Sequence, residues 1–192
     1  VRWRQGGVNA PGRKEKATLE LPGGVVVEPE RERSLDRLLR EGELDAVISA
    51  RPPAGALTGE LRTVLDDPRA AERSYWEASG VFPIMHVVVL RPDFHRANPW
   101  AATSLYEGLD AARSRSVARM LDATASHAPL PWLSDLAREA ATAFGGDLWP
   151  YGIDPNRTTI ETFARYAHEQ GLTPNPLTPE DLFPAAPLSV FI

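Results

Sequence analysis

Hydrophobic and polar positions in this chain fall into short blocks with sharp edges. Val1–Val8 reads as a short strand running into Gly6-Gly7. After a basic turn (Arg13, Lys14, Lys16), Thr18–Leu21 and Gly24–Glu28 are predicted to form a hairpin about Pro22-Gly23. Ser34 suits the N-cap of a helix that aligns Leu35, Leu38 and Leu39 and stops at Gly42. Leu44–Ser49 then reads as a buried strand ending at Ala50-Arg51-Pro52-Pro53. Helix, glycine and apolar strand in that order are the grammar of an α/β layer.

Further along, Asp67-Pro68 opens a helix that Gly80 closes. Phe82–Arg91, rich in valine, is the strongest predicted strand and is expected to be central. Pro99 opens the longest helix, which keeps Leu105, Leu109, Ala112, Ser116 and Met120 on one face. Pro131–Phe144 is a further helix, and Asp147–Asp154 is a loop carrying Trp149-Pro150-Tyr151-Gly152. Pro155–Gln170 is helical with Ile160, Phe163, Ala164 and Ala167 inward. Thr178-Pro179-Glu180-Asp181 starts a last short helix before a tail, Ala185–Ile192. Residues 1–83 mix strands and helices, whereas 84–192 are mostly helical. Two lobes meeting near Phe82–Met85 are therefore expected.

Composition narrows the classes. Cysteine is absent, so disulfides, thiolate metal sites and a cysteine nucleophile are excluded. The net charge of −5 argues against a general nucleic-acid binder. Eighteen prolines in 192 residues sit mostly at block edges, which marks many short elements. The longest apolar run, Phe82–Leu90, falls far short of the ~18 residues of a membrane span, so no membrane partner is expected. No secretory signal is visible in a sequence that opens on Val1.

The four histidines (86, 95, 127 and 168) offer no pair at ligand spacing, and no metal site is expected. Phosphate-loop, dinucleotide and serine-nucleophile motifs are absent. His86 stands out inside an apolar strand, where it is either a core histidine or a general acid or base near neutral pH. Arg51 follows the carboxyl end of a strand, a position suited to gripping a carboxylate, or else to a solvated loop arginine. The Trp149–Gly152 loop enters a helix start at Asp154-Pro155-Asn156, which reads as an anion site or as capping with aromatic packing. Arg2 and Arg4 share a strand face, where edge charges commonly serve solubility.

Gly42-Glu43-Leu44-Asp45-Ala46-Val47-Ile48-Ser49-Ala50-Arg51-Pro52-Pro53 resembles the 4,5-dihydroxyphthalate decarboxylase family. So do Gly80–His86, Asn98-Pro99-Trp100, Trp149–Arg157 and His168–Leu172, in the family's order. The resemblance implies an α/β, two-lobed fold like type II periplasmic binding proteins. It is a partial one: the second lobe, residues 1–83, plus a helical return to the first, without the family's N-terminal strands and helices. It implies cytoplasmic, cofactor-free decarboxylation of 4,5-dihydroxyphthalate to 3,4-dihydroxybenzoate and CO2. The partner is then a small aromatic dicarboxylate, and a homo-oligomer is open. Under this reading His86 is the proton donor or catechol base and Arg51 the carboxylate clamp. Tyr151, Asn156 and Arg4 are further substrate contacts. The rival is a solute-binding protein that holds an aromatic carboxylate without turnover, because such folds mostly bind.

Overall fold

Among the described residues of the computed structural model, 1–13, 21–125 and 127–183, regular structure is helical apart from one small parallel sheet. Contacts divide the chain into two units. One holds Val1–Gly80 with Arg165–Pro176, the other Val81–Ala164 with the residues from Leu177.

In the first unit, β1 (Trp3–Gln5) pairs in parallel with β2 (Val27–Pro29), Arg4 opposite Glu28. Proline ends β2, where its missing N–H costs the ladder nothing, and Glu30 N–H extends the pairing to the Gln5 carbonyl at 2.8 Å. Gly6 and Gly7 are buried under the start of α1 (Leu35–Arg40). Their segment turns its carbonyls to that helix: Gly7 and Val8 accept from Leu35 and Asp36 N–H, both at 2.9 Å. A Cβ on Gly7 would lie 1.9 Å from the Ala10 carbonyl oxygen, so only glycine fits. Ser34 caps α1 by accepting Arg37 N–H at 3.2 Å. Gly42, at φ +77°, closes it, with Glu43 N–H reaching back to the Leu38 carbonyl. Buried Asp36 bonds Arg40 on its own helix and Gly55 N–H at the start of α2 (Ala54–Thr58). The capped helix α3 (Pro68–Ser79) ends at Gly80 and buries none of its residues.

The second unit begins with an irregular segment and continues through α4 (Pro92–Ala97), α5 (Trp100–Leu121) and α6 (Leu133–Ala143). A 3-10 turn (Asp154–Asn156) leads into α7 (Arg157–Glu169), whose residues from Arg165 belong to the first unit. Thr178 and Asp181 form a reciprocal capping box on α8 (Pro179–Leu182). Among the described residues, the buried apolar side chains are those of Leu35, Leu38, Ala101, Ala137, Ile153, Ile160, Ala164 and Ala167. Half are alanine. The core is therefore thin, and each unit leaves branched side chains in water.

Several expectations are corrected. The turn at Pro22 forms, with Val25 N–H on the Pro22 carbonyl at 3.1 Å, and β2 pairs in parallel with β1. The other half of that hairpin, Thr18–Glu20, lies outside the described residues, as does the Ala185–Ile192 tail. Leu44–Ser49 is not a buried strand: it joins no ladder among the described residues, and Ile48 is 88% exposed. Phe82–Arg91 is not a central strand either, since it has no regular structure and joins no ladder among the described residues. In both, β-forming side chains are present, but strand formation needs a paired edge and a covered face, which local sequence cannot supply. Phe163, expected inward on α7, is 66% exposed while Ile160, Ala164 and Ala167 are buried. The architecture is mainly α with a small sheet and is compatible with an α/β class.

Candidate functional site

The aromatic loop after α6 is braced from three directions within the second unit. Gly152 takes φ +97°, and a Cβ there would meet the Tyr106 hydroxyl of α5 at 3.3 Å. Asn156 turns its amide back on the loop and donates to the Pro150 carbonyl at 3.0 Å and the Gly152 carbonyl at 2.9 Å. The two carbonyls that flank Tyr151 are thus fixed by one side chain. From α5, Arg113 donates to the Trp149 carbonyl at 3.0 Å and to the Asp147 carboxylate at 3.3 Å. Its Nε is held by Asp110 at 2.7 Å.

Tyr151 is half-buried with its ring on Tyr106, centroids 5.1 Å apart. Burial, then the neighbouring Tyr106 and Asp110, pushes its phenol above the ordinary tyrosine value. Its hydroxyl therefore stays protonated at neutral pH and can donate a hydrogen bond. Asn156 Nδ2 spends two hydrogen bonds on the loop, so the structure gives it a positioning duty.

His86 lies in the same unit, in the middle of the exposed segment that follows Phe82. The segment is fixed at its start, where Phe82 N–H donates to buried Thr159 Oγ1 at 3.1 Å and the Phe82 ring meets Phe144 edge-on at 5.0 Å.

Arg51 and Arg4 belong to the first unit. Arg51 is exposed, and its backbone is held by Ser49: the Ser49 hydroxyl bonds the Arg51 carbonyl, and Arg51 N–H reaches Ser49 Oγ at 3.1 Å. The following turn is pinned by Asn9, which donates to the Pro52 carbonyl at 3.1 Å and accepts Ala54 N–H at 2.8 Å. No ion pair engages the Arg51 guanidinium among the described residues. Arg4 is employed differently. It lies 3.7 Å from both Glu30 and Glu43, in a cluster where Arg33 grips Glu43 with both terminal nitrogens. Backbone N–H groups of Glu32 and Arg33 hold the Glu30 carboxyl below its ordinary value, and Arg33 does the same for Glu43.

Sequence reasoning missed Tyr106 and Arg113, which shape the Tyr151 loop from about forty residues away in the chain. It also missed the pair of Asp122 and His127, 3.0 Å apart, beside a surface groove of about 240 Å³ that includes Arg119 and Trp132. The bond from His127, with two more from Thr124, holds the Asp122 carboxyl far below the usual carboxylate range. No cluster of three or more metal-ligating side chains occurs among the described residues. No described helix is long and apolar enough to cross a membrane.

No protein-family model matches the chain. Individual relatives do. The 4,5-dihydroxyphthalate decarboxylase of Comamonas testosteroni is 32% identical over 194 aligned residues, which cover all of this chain. Over its whole length the chain is similar to a 4,5-dihydroxyphthalate decarboxylase, as a partial chain of that family would be. A second 4,5-dihydroxyphthalate decarboxylase, from Pseudomonas putida, is 40% identical over 82 residues, 41% of this chain and 31% of that protein. The chain spans 59% of the Comamonas testosteroni decarboxylase. In this chain, Tyr151 and Asn156 share one braced loop in the second unit, which also carries His86. Arg4 and Arg51 lie in the first unit.

Proposed function

We propose that this chain is part of a two-lobed, binding-protein-like decarboxylase that removes CO2 from 4,5-dihydroxyphthalate without a cofactor. The observation that carries the reading is the alignment of the whole chain with a relative of that name. The substrate supplies much of the chemistry. The hydroxyl para to the departing carboxylate pushes electron density to the ring carbon, which takes a proton before the bond to the carboxylate breaks. CO2 then leaves, and the electron pair of that bond restores the aromatic ring, giving 3,4-dihydroxybenzoate.

His86 delivers the ring proton in this reading, as the general acid. Arg51 clamps the carboxylate that remains, its exposed guanidinium offering a bidentate fork. The neutral Tyr151 hydroxyl donates to a ring oxygen or the second carboxylate, and Asn156 and Arg113 keep it aimed. Arg4, already paired with Glu30 and Glu43, is the weaker candidate for a substrate contact.

The test is CO2 release from 4,5-dihydroxyphthalate by a family-length protein carrying this sequence. His86→Gln is expected to lower kcat by about 10²–10⁴-fold per folded molecule, the usual scale for a general acid. Arg51→Ala is expected mainly to raise KM, because a clamp holds ground and transition states alike. Saturable binding with no CO2 released would instead make the protein a carrier of aromatic carboxylates. Unchanged turnover in His86→Gln would leave the proton donor elsewhere.

A further inference from the structure

The connection from α5 to α6 is built around one carboxylate. Asp122, the C-cap of α5, accepts the Thr124 N–H at 2.8 Å and the Thr124 hydroxyl at 2.6 Å on Oδ1. Its Oδ2 accepts from His127 Nε2 at 3.0 Å, since a carboxylate can only accept. Arg119 stands just under one turn earlier on the same helix, a spacing at which guanidinium and carboxylate usually pair. Here they do not. With both Asp122 oxygens engaged, Arg119 has no ion pair or hydrogen bond among the described residues. It lines the groove of about 240 Å³, which lies wholly in the second unit. Trp132 lines it too, and is anomalous in two ways. Its backbone is left-handed at φ +58°, a conformation normally left to glycine or asparagine, and its side chain is 77% exposed. An indole at this position suits neither the backbone nor a core. The other walls are mainly alanine, with Leu130 and Pro131.

We propose that this groove binds a small aromatic carboxylate, its ring stacked on Trp132 and its carboxylate held by Arg119. Apolar walls with one unpaired cation are the recipe for a carboxylate on an apolar body. The guanidinium fork matches a carboxylate bidentately, and the flat indole matches an aromatic ring. The volume falls below the roughly 300–1,000 Å³ of sites for drug-sized molecules, so the ligand is a single ring. A metal cation is a poor fit, because both Asp122 oxygens and His127 Nε2 are already bonded. In this arrangement His127 is a positioning residue: by holding Asp122 Oδ2 it keeps that carboxylate off Arg119. None of these residues takes part in the decarboxylation proposed above, and the inference does not rest on it.

Titration of the whole chain with sodium benzoate, followed by proton–nitrogen NMR, tests this. The Trp132 indole signal is assigned by its loss in Trp132→Gly, a substitution that suits the left-handed backbone and leaves the fold intact. Benzoate is expected to move that signal and the amides around it saturably, with a Kd of about 1–10 mM. Cyclohexanecarboxylate, with the same charge and no flat face, should bind about fivefold more weakly, as should benzoate to Trp132→Gly. Arg119→Gln should weaken benzoate about tenfold or more, whereas Arg115→Gln, the same charge change on α5 outside the groove, should not. His127→Ala should also weaken it, by releasing Asp122 to pair with Arg119, and adding Asp122→Asn should restore it. A groove that merely lost its shape would not be rescued this way. Benzoate that moves no signal in 119–134, or binds Arg119→Gln as well as the parent, would overturn the proposal. Inorganic phosphate binding as tightly as benzoate, unaffected by Trp132→Gly, would overturn it in favour of a plain anion site.

Discussion

Replacing Asn156 tests whether one amide shapes the loop that presents Tyr151. Asn156→Ala removes two hydrogen bonds and leaves the Pro150 and Gly152 carbonyls without their donor. Each such bond contributes about 1 kcal/mol net, and an orphaned buried acceptor costs about 1–3 kcal/mol. Both carbonyls belong to half-buried residues, so water recovers part of the loss, and the expected cost is ~1–2 kcal/mol. For a chain of this length that is roughly 2–8 °C in the melting midpoint. Asn156→Asp should be worse at pH 7, because it faces a carboxylate against two carbonyl oxygens at the same distances. Its carboxyl would titrate high, so the excess cost should disappear as pH falls through that raised value and the protonated acid regains one donor. The two units need not melt together, so urea titration should be followed by both tryptophan fluorescence and far-ultraviolet dichroism. An alanine variant within about 0.5 kcal/mol of the parent, or an aspartate variant no worse than alanine at pH 7, would refute the reasoning.

Two further outcomes follow from the same geometry. Gly7→Ala should abolish or severely weaken folding of the first unit, because its Cβ would sit 1.9 Å from the Ala10 carbonyl oxygen; Gly23→Ala, with open space around it, is the neutral control, and equal soluble yields and midpoints would contradict this. In an alkaline titration followed at the phenolate absorbance, one of the four tyrosines should ionise late and vanish from the late phase in Tyr151→Phe. Because its folded value is raised, the stability it brings is present below the unfolded tyrosine value near 10 and is lost as pH rises through the folded one.

Elements whose causes are local could be read from the chain. Ser34, Asp67 and Thr178 cap the helices expected of them, and Gly42 and Gly80 stop two of those helices with left-handed backbone. The strands could not be read this way. Val87-Val88-Val89 has the side chains of a strand, but pairing is decided by what lies alongside, and nothing in nine residues encodes its neighbour. The candidate site divides along the same line. The Trp149–Asn156 block announces itself by its aromatic and proline content. That Asn156 spends its amide on the loop, and that Arg113 holds Trp149 from another helix, depends on long-range folding. The ion pairs of Arg4 were hidden for the same reason, since its acidic partners lie 26 and 39 residues further on.

The alanine-lined core has a thermodynamic consequence of its own. Heat capacity rises on unfolding mainly through apolar area brought into water, about 0.45 cal/K/mol for each Å². Methyl groups such as those of Ala101, Ala137, Ala164 and Ala167 release little of it, and the branched residues at Ile48 or Val89 are hydrated before unfolding begins. The stability curve should therefore be shallow and broad in temperature, without the pronounced dome of a domain packed with leucine and isoleucine. Denaturant sensitivity scales with the same area, so the slope against urea should be low for a chain of this size. Such a chain gains little from cooling, and its response to temperature is governed by capped helices and hydrogen-bonded loops more than by the hydration of a core.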